Sequence, residues 1–514
     1  MTEIDTSLAA DYVVVGAGSA GCVVTERLSA SGEHTVVVLE AGATDPRSIP
    51  ELRIPMLFPR TFGSEVDWGF TTVPQAGLDG RVIPYPRGKG LGGSASINAQ
   101  LWTIGHRADY DGWAEQGYPG WGYADVLPYF ERAVAERLPL AGIRYPSPVT
   151  ADFLSAAALA GHAPAGEQQE GTLLARANHV DGLRHSSAEG YLDRCAERDN
   201  VRVVTGGRVR RLIFDGTTAT GVEVEIDGEI RQVRANREVL LAAGAVGTPH
   251  LLMLSGVGPA GHLAEHGIPV VVDAPAVGRN LADHLLVPLA FAGRGFESPG
   301  VSAGPEQMRA YLRDRTGPLN SIVSEALTFL RTDPDLPGPD IEVVFLVLPY
   351  GEHKTSAEHG FALGVILLRP ESTGSITLRS ADPSDAPLID PGYLSDRADL
   401  DTVVAGVRAA QRILEQPVLS RWRGEPLTDG ALSTDRAQIE RYVRATGLSI
   451  FHPVSTCRMG PGDDSPVDLS FRVRGVRGLR VVDAAAMPSI VRAHTQAPVT
   501  MLAERASEVI ISGR

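Results

Sequence analysis

The chain has little cysteine, no long apolar run and no excess of basic charge. Three cysteines, Cys22, Cys195 and Cys457, are scattered over 514 residues. They supply neither a disulfide framework nor a CxxC site, so a reducing, cytoplasmic location is expected. No apolar stretch approaches the roughly 20 residues needed to span a bilayer, so no membrane insertion is expected. The N-terminus, MTEIDTSLAADY, is acidic and has no apolar core, so no secretory signal is expected. The formal net charge of −15 argues against nucleic acid or an anionic membrane as the main partner, because either wants a basic patch. No internal repeat or low-complexity tract is evident. No metal site is expected: the one zinc-like pattern, His262 to His266, is flanked by Gly261 and Gly267.

What is present is ordinary globular composition, 43% hydrophobic and 21% charged, in a chain long enough for about two to four domain-sized units. The stretch from Asp11 to Gly42 organises the reading. Tyr12 to Val15 favours a strand and runs into Gly16-Ala17-Gly18-Ser19-Ala20-Gly21. In this GxGxxG loop, Gly16 permits the turn, Gly18 lets backbone approach a pyrophosphate, and Gly21 lets the following helix pack closely. That helix is expected to reach about Ser31, and Val36 to Leu39 to form a second strand ending at Glu40. An acid there accepts bonds from both ribose hydroxyls and repels a 2′-phosphate, so FAD or NAD is expected before NADP. Without its flanking elements, the same loop would be a glycine turn in any α/β domain.

Residues 46 to 86 are proline-rich and read as a long excursion over the surface. Arg87 to Asn98 follows, a glycine-rich run that is not a Walker A loop because Lys89 precedes Gly90. It suits either close backbone approach to a flat or anionic ligand or a flexible loop. A helix is expected after Tyr123, whereas residues 137 to 190 say least. Strands are expected over 200–209 and 221–233. Val239 to Ala245 reads as a buried strand entering a glycine turn, with a helix over 249–255 and Pro249 in its first turn. After about Asp283, strand-like runs at 321–330, 341–348, 361–369 and 375–379 suggest a second, antiparallel domain. A helix is expected at 398–415, then a strand at Leu479 to Asp483 and a final helix from Pro498 to Ile511. The first domain is therefore discontinuous. Arg208, Arg210 and Arg211 read as a solvated strand edge. Phe451 and Trp102 could line an apolar pocket or pack in a core.

Four further stretches resemble the glucose–methanol–choline (GMC) oxidoreductases. They are Gly92-Gly93-Ser94 with Asn98, Gly244 to Pro259, Gly278 to His284 (GRNLADH), and Phe451 to Gly460 (FHPVSTCRMG). The resemblance implies an α/β plus antiparallel β architecture, with a Rossmann-like FAD-binding domain and a discontinuous, sheet-based substrate domain. Residues 1–286 would be mainly FAD-binding, with excursions around 46–86 and 137–195. Residues 287–470 would be mainly substrate-binding, and 471–514 would return to the first domain.

The activity implied is FAD-dependent oxidation of a primary or secondary alcohol, with hydride passing to flavin N5 and then to oxygen or another acceptor. His452 matches the general base and His494 the second active-site position. The implied cofactor contacts are Gly16, Gly18, Ser19, Gly21, Glu40, Ala41, Gly93, Ser94, Asn98, Val209, Ala243, Gly244, Asp483, Ala484, Gln496 and Pro498. The last helix, starting close to Pro498, could stabilise negative charge on reduced flavin through its dipole.

Two departures stand out. Ile97 occupies the position where some relatives carry a histidine that binds FAD covalently, so non-covalent FAD is expected. Ile104 stands where the family usually has arginine. A lyase or decarboxylase on this fold, and a non-catalytic binding protein, are the competing expectations.

Overall fold

The computed structural model describes residues 8–166, 169–299, 304–351 and 359–513. The acidic start of the chain, through residue 7, lies outside them.

The first sheet is built on the opening strand, Leu8–Val15. Its last four residues, Tyr12 to Val15, are valine-rich and buried, as a strand covered on both faces requires. It pairs in parallel with Val36–Glu40 on one side and Glu229–Leu241 on the other. Val36–Glu40 pairs in turn with Val201–Thr205. The long strand 229–241 changes partner along its length. Its first half pairs antiparallel with Thr218–Ile226, and its last three residues pair in parallel with Leu479–Val481. The C-terminal segment is therefore stitched into the middle of the sheet that the N-terminus begins. Helix Ser19–Ser29 follows the glycine loop, and helix Gln496–Ile511 packs beside it.

The second sheet is antiparallel, in the order 423–426, 285–293, 360–367, 341–346, 324–330, 171–174, with Leu448–Ser449 also pairing to 285–286. Its three central strands are buried at every residue. Helix Arg397–Leu414 covers one face. It lies so close that a Cβ on Gly406 would fall 2.8 Å from Val365 Cγ1 and 2.9 Å from Ile341 Cδ1. The opposite face looks toward the first domain.

Several expectations are corrected. The 46–86 stretch is not a surface excursion. Leu52, Ile54, Met56, Leu57, Phe58, Leu78, Ile83 and Tyr85 are buried, carried on short turns whose prolines hide any periodicity. Gly171–Leu174, inside the least legible segment, is an edge strand of the second sheet. The run near 375 does not join that sheet; Gly374–Thr377 pairs with Arg279–Leu281 and Leu388–Asp390. Residues after His452, placed with the substrate half, contribute Val454, Cys457, Met459 and Val467 to the first core.

The helix at the second glycine turn begins at Gly244, so Pro249 is its sixth residue. Proline there has no N–H for the carbonyl four residues earlier. That carbonyl, of Ala245, instead accepts the Thr456 hydroxyl at 2.7 Å. The tolerance for Pro249 thus comes from the distant FHPVST stretch.

Candidate active site

The strand ends, glycine turns and second sheet converge on one cavity of about 560 Å3, within the usual range for small-molecule sites. It runs from the opening glycine loop to His452 and His494. Of the sixteen expected cofactor contacts, Gly21 and Pro498 do not line it. Gly21 packs beneath the loop, where a Cβ would fall 1.9 Å from the Gly16 carbonyl oxygen. Pro498 is buried in the first turn of a helix that begins at Gln496. The other fourteen, with both histidines, share the cavity wall.

The dinucleotide end is held by backbone. Gly16 has φ +100°, a conformation open to glycine, and its Cα faces Ala242 so closely that a Cβ would meet that carbonyl oxygen at 2.6 Å. Gly93, at φ +52°, approaches Gly18 in the same way; a Cβ would fall 2.8 Å from the Gly18 Cα. Within the glycine-rich run, Gly93–Ser96 forms a 3₁₀ turn pressed against the opening loop.

Glu40 ties these parts together. Its carboxylate accepts from the N–H groups of Ala17 (3.0 Å), Gly42 (2.9 Å) and Gly90 (2.9 Å). Burial pushes its pKa up, and the three amides act in the opposite direction. Asp483 also lines the wall, but its oxygens are engaged by Gly244 N–H, the Thr248 hydroxyl and Ala485 N–H. Burial raises this carboxyl to about 6. The N-termini of helices 19–29 and 496–511 both reach the cavity, where their free amides suit anionic groups. A pyrophosphate at the first and a flavin pyrimidine edge at the second would meet the chemistry they require, so the wall fits FAD.

Arg208, read as a solvated edge residue, lines the cavity with its guanidinium 5.6 Å from the centre of the Trp68 ring. Trp102 is a core residue, whereas Phe451 faces the cavity.

At the far end, three imidazoles meet. His284 Nδ1 lies 2.9 Å from His452 Nδ1, and the His452 and His494 rings stand edge to face with centres 4.9 Å apart. His284 Nε2 lies 3.2 Å from the Leu368 carbonyl, which can only accept. Nε2 of His284 therefore carries the proton, and its Nδ1 accepts from His452 Nδ1–H. The neutral His452 ring is left with its Nε2 lone pair free. Burial, then the positive potentials of His494, His284 and Arg87, holds the His452 pKa well below the ordinary histidine value. Burial and His494 push His284 down to about 3.

Backbone contacts aim His452. Its N–H donates to Asp283 at 2.7 Å, and the preceding carbonyl, of Phe451, accepts from Arg87 at 2.5 Å. Phe451 is held between them at φ +69°, a strained conformation for a phenylalanine. Asp283 also accepts from Ser449 (2.6 Å) and Tyr393. His494 N–H donates to Thr103 at 2.8 Å, and its Nε2 lies 3.2 Å from Glu342 Oε1. Glu342 is 1% exposed.

Asp283, His284 and Glu342 went unassigned in the sequence reading. The first two sit in the GRNLADH stretch as an adjacent Asp-His pair. Glu342 is an acid inside Ile-Glu-Val-Val-Phe-Leu, a strand otherwise wholly apolar.

The opposite wall comes from the second sheet and the 46–86 stretch. Leu286, Val323, Ser324, Val344, Leu346 and Ile366 line it, with Phe58 and Phe62. Phe62 stands edge to face with both Phe58 and Phe451. No charged side chain of the sheet strands lines the cavity on this side; Glu342 stands on the same face, behind His494. Among the described residues no cluster of three or more His, Cys, Asp or Glu could hold a metal, and no helix is long and apolar enough to cross a membrane. In the HxxEH stretch, His262 Nε2 accepts from Leu378 N–H at 2.9 Å.

Comparison with known proteins agrees with this geometry. Models of the N- and C-terminal parts of the GMC oxidoreductases match residues 10–286 and 370–503. A GMC-type oxidoreductase of Mycobacterium tuberculosis is 44% identical over 526 residues, covering 98% of this chain and 99% of its own. An alcohol dehydrogenase [acceptor] of Pseudomonas putida is 36% identical, covering 98% and 95%. The solved pyridoxine 4-oxidase of Mesorbium loti superposes with a TM-score of 0.87 at 30% identity, covering 97% and 98%. The chain belongs to the GMC oxidoreductase family and is an FAD-dependent oxidoreductase acting on CH–OH donors.

Proposed function

We propose that this enzyme oxidises an uncharged, apolar primary or secondary alcohol to the carbonyl compound, with His452 as general base and His494 as hydrogen-bonding partner of the same oxygen. The observation that carries the reading is the free Nε2 of His452, fixed by the Leu368–His284 relay on a ring that lines the cavity. Bound FAD supplies the hydride acceptor at N5. An alcohol releases hydride poorly while its hydroxyl keeps its proton, and a base within hydrogen-bond reach removes that obstacle. His452, kept neutral by its surroundings, is ready to take the proton. His494 holds the oxygen in place, and the aromatic and aliphatic wall excludes water from the carbinol.

The substrate class follows from the wall. A cationic alcohol would leave water and find on the sheet side only the Glu342 carboxyl, already engaged by His494 and not lining the cavity, so much of the several kcal/mol its desolvation costs would go uncompensated. The cofactor is non-covalent in this reading; Ile97 packs with Leu52 and Val66, and no histidine takes its place. Three free, buried cysteines support a cytoplasmic location.

The test is anaerobic reduction of the holoenzyme by a panel of uncharged aliphatic and aromatic primary alcohols, with choline as a charged control. Loss of flavin absorbance is expected with the neutral alcohols, and about 10²- to 10⁴-fold more slowly in His452→Ala. Reduction of the variant at the wild-type rate would sink the base assignment. Faster reduction by choline would sink the substrate class. Mixing reduced enzyme with oxygen then separates an oxidase from an enzyme needing another acceptor.

A further inference from the structure

Arg184 is a buried cation with no carboxylate at ion-pair distance among the described residues. It is 4% exposed, and arginine is rarely buried unless paired. Its Nε donates to the Leu52 carbonyl (3.0 Å), and its Nη1 to the Ala95 carbonyl (3.2 Å) and to Asn98 Oδ1 (2.8 Å). Its Nη2 is buried and has no hydrogen-bond partner. Glu189 acts on it only at longer range, and its Oε2 accepts from Ser186. Burial pushes the guanidinium down to about 9, which leaves it charged at neutral pH.

The Asn98 side chain gives the charge a polar route to the cavity. Asn98 Oδ1 accepts from Arg184 and from Gln100 N–H (2.9 Å), so the amide can face in only one sense. Its Nδ2 then donates to Gln496 Oε1, at the start of the last helix. Asn98 and Gln496 both line the cavity, whereas Arg184 stands behind them.

We propose that Arg184 is a positioning residue for flavin reduction: its unpaired positive charge, relayed through the oriented Asn98 amide, stabilises the negative charge that the ring gains. The inference rests on the reading that Asn98 borders the flavin ring. A fixed charge in a dry site acts strongly and needs no reorganisation when the ring's charge changes. This also explains why the fold retains a buried cation with no carboxylate beside it among the described residues. If its whole task were to tie Leu52 and Ala95 together, the charge itself would be dispensable.

The test uses the holoenzymes of Arg184→Lys, Arg184→Met and Asn98→Ala, with sulfite as probe. Sulfite adds to N5 of oxidised flavin and leaves negative charge on the ring, so its affinity reports that charge's stabilisation without any substrate. Arg184→Met is expected to weaken sulfite binding at least tenfold, and Arg184→Lys less than threefold. Wild-type affinity in Arg184→Met, or equal weakening in both variants, overturns the proposal, because packing and not charge would then be at work. Loss of FAD from both Arg184 variants, with FAD kept by Asn98→Ala, also overturns it, in favour of a scaffold role. If Asn98→Ala leaves the flavin spectrum and sulfite affinity unchanged, the placement of Asn98 at the ring fails instead, and the relay with it.

Discussion

His284 donates nothing to His452; it accepts. The 2.9 Å contact between their Nδ1 atoms has one consistent protonation, because the Leu368 carbonyl claims the proton of His284 at Nε2. The tautomer of His452 is therefore set from two residues away. His284 does not line the cavity, so replacing it changes the tautomer without touching substrate. His284→Phe is expected to slow anaerobic flavin reduction about 10²-fold, the scale of a general base disabled. FAD content should stay near wild type. Full activity in that variant would show that His452 needs no relay.

Glu342 and His494 give a second expectation. Val344 and Leu346 line the cavity, and the period of two in the strand puts Glu342 on their face. Its Oε2 has no hydrogen-bond partner, and its Oε1 meets His494. The contact with Glu342 holds the His494 ring in place at the cavity wall. Glu342→Gln keeps an acceptor and removes the charge. It is expected to slow reduction about 10-fold, and Glu342→Leu about 10²-fold, as loss of a charged hydrogen bond predicts. The measurement is the limiting rate of flavin bleaching, with the apparent substrate dissociation constant little changed.

Pro249 predicts a stability effect far from the chemistry. Thr456→Val removes the hydroxyl that satisfies the Ala245 carbonyl. Leaving that buried acceptor without a partner should cost about 1–3 kcal/mol. Denaturant unfolding of the holoenzyme would show it as a lower midpoint at unchanged slope.

The buried histidines set the acid side of the stability profile. Burial lowers His179 to about 3, His250 to about 4 and His284 to about 3, and pushes His452 well down. Below the unfolded-state pKa of about 6.5 the unfolded chain binds protons that the folded chain refuses. Stability is thus complete above about 6.5 and is lost as pH falls toward 4 and then 3. Thermal midpoints measured from pH 8 to pH 4 should fall steadily below about 6.5. A midpoint flat down to pH 4 would contradict the burial of these rings in neutral form.

Much of this was legible in order along the chain. The opening strand, glycine loop, helix and Glu40 follow local rules, since each needs only its neighbours' spacing. The antiparallel strands were equally plain from their apolar runs. The 46–86 stretch was misread because its apolar residues sit on short turns, where no period of two or 3.6 develops. Gly171–Leu174 was missed because a four-residue edge strand takes its identity from the partner at Ser324–Leu330.

The sequence by itself determined the cofactor class and the two-sheet architecture and singled out His452 and His494, because glycine turns, buried strands and ordered motifs are local patterns. Only the tertiary structure decided which nitrogen of His452 is free, what charge stands behind His494, and why Arg184 is buried without a carboxylate. Those depend on partners 84 to 168 residues away, whose approach no spacing along the chain encodes. A tautomer or a buried charge is settled by what surrounds it in space, and the fold alone brings those surroundings together.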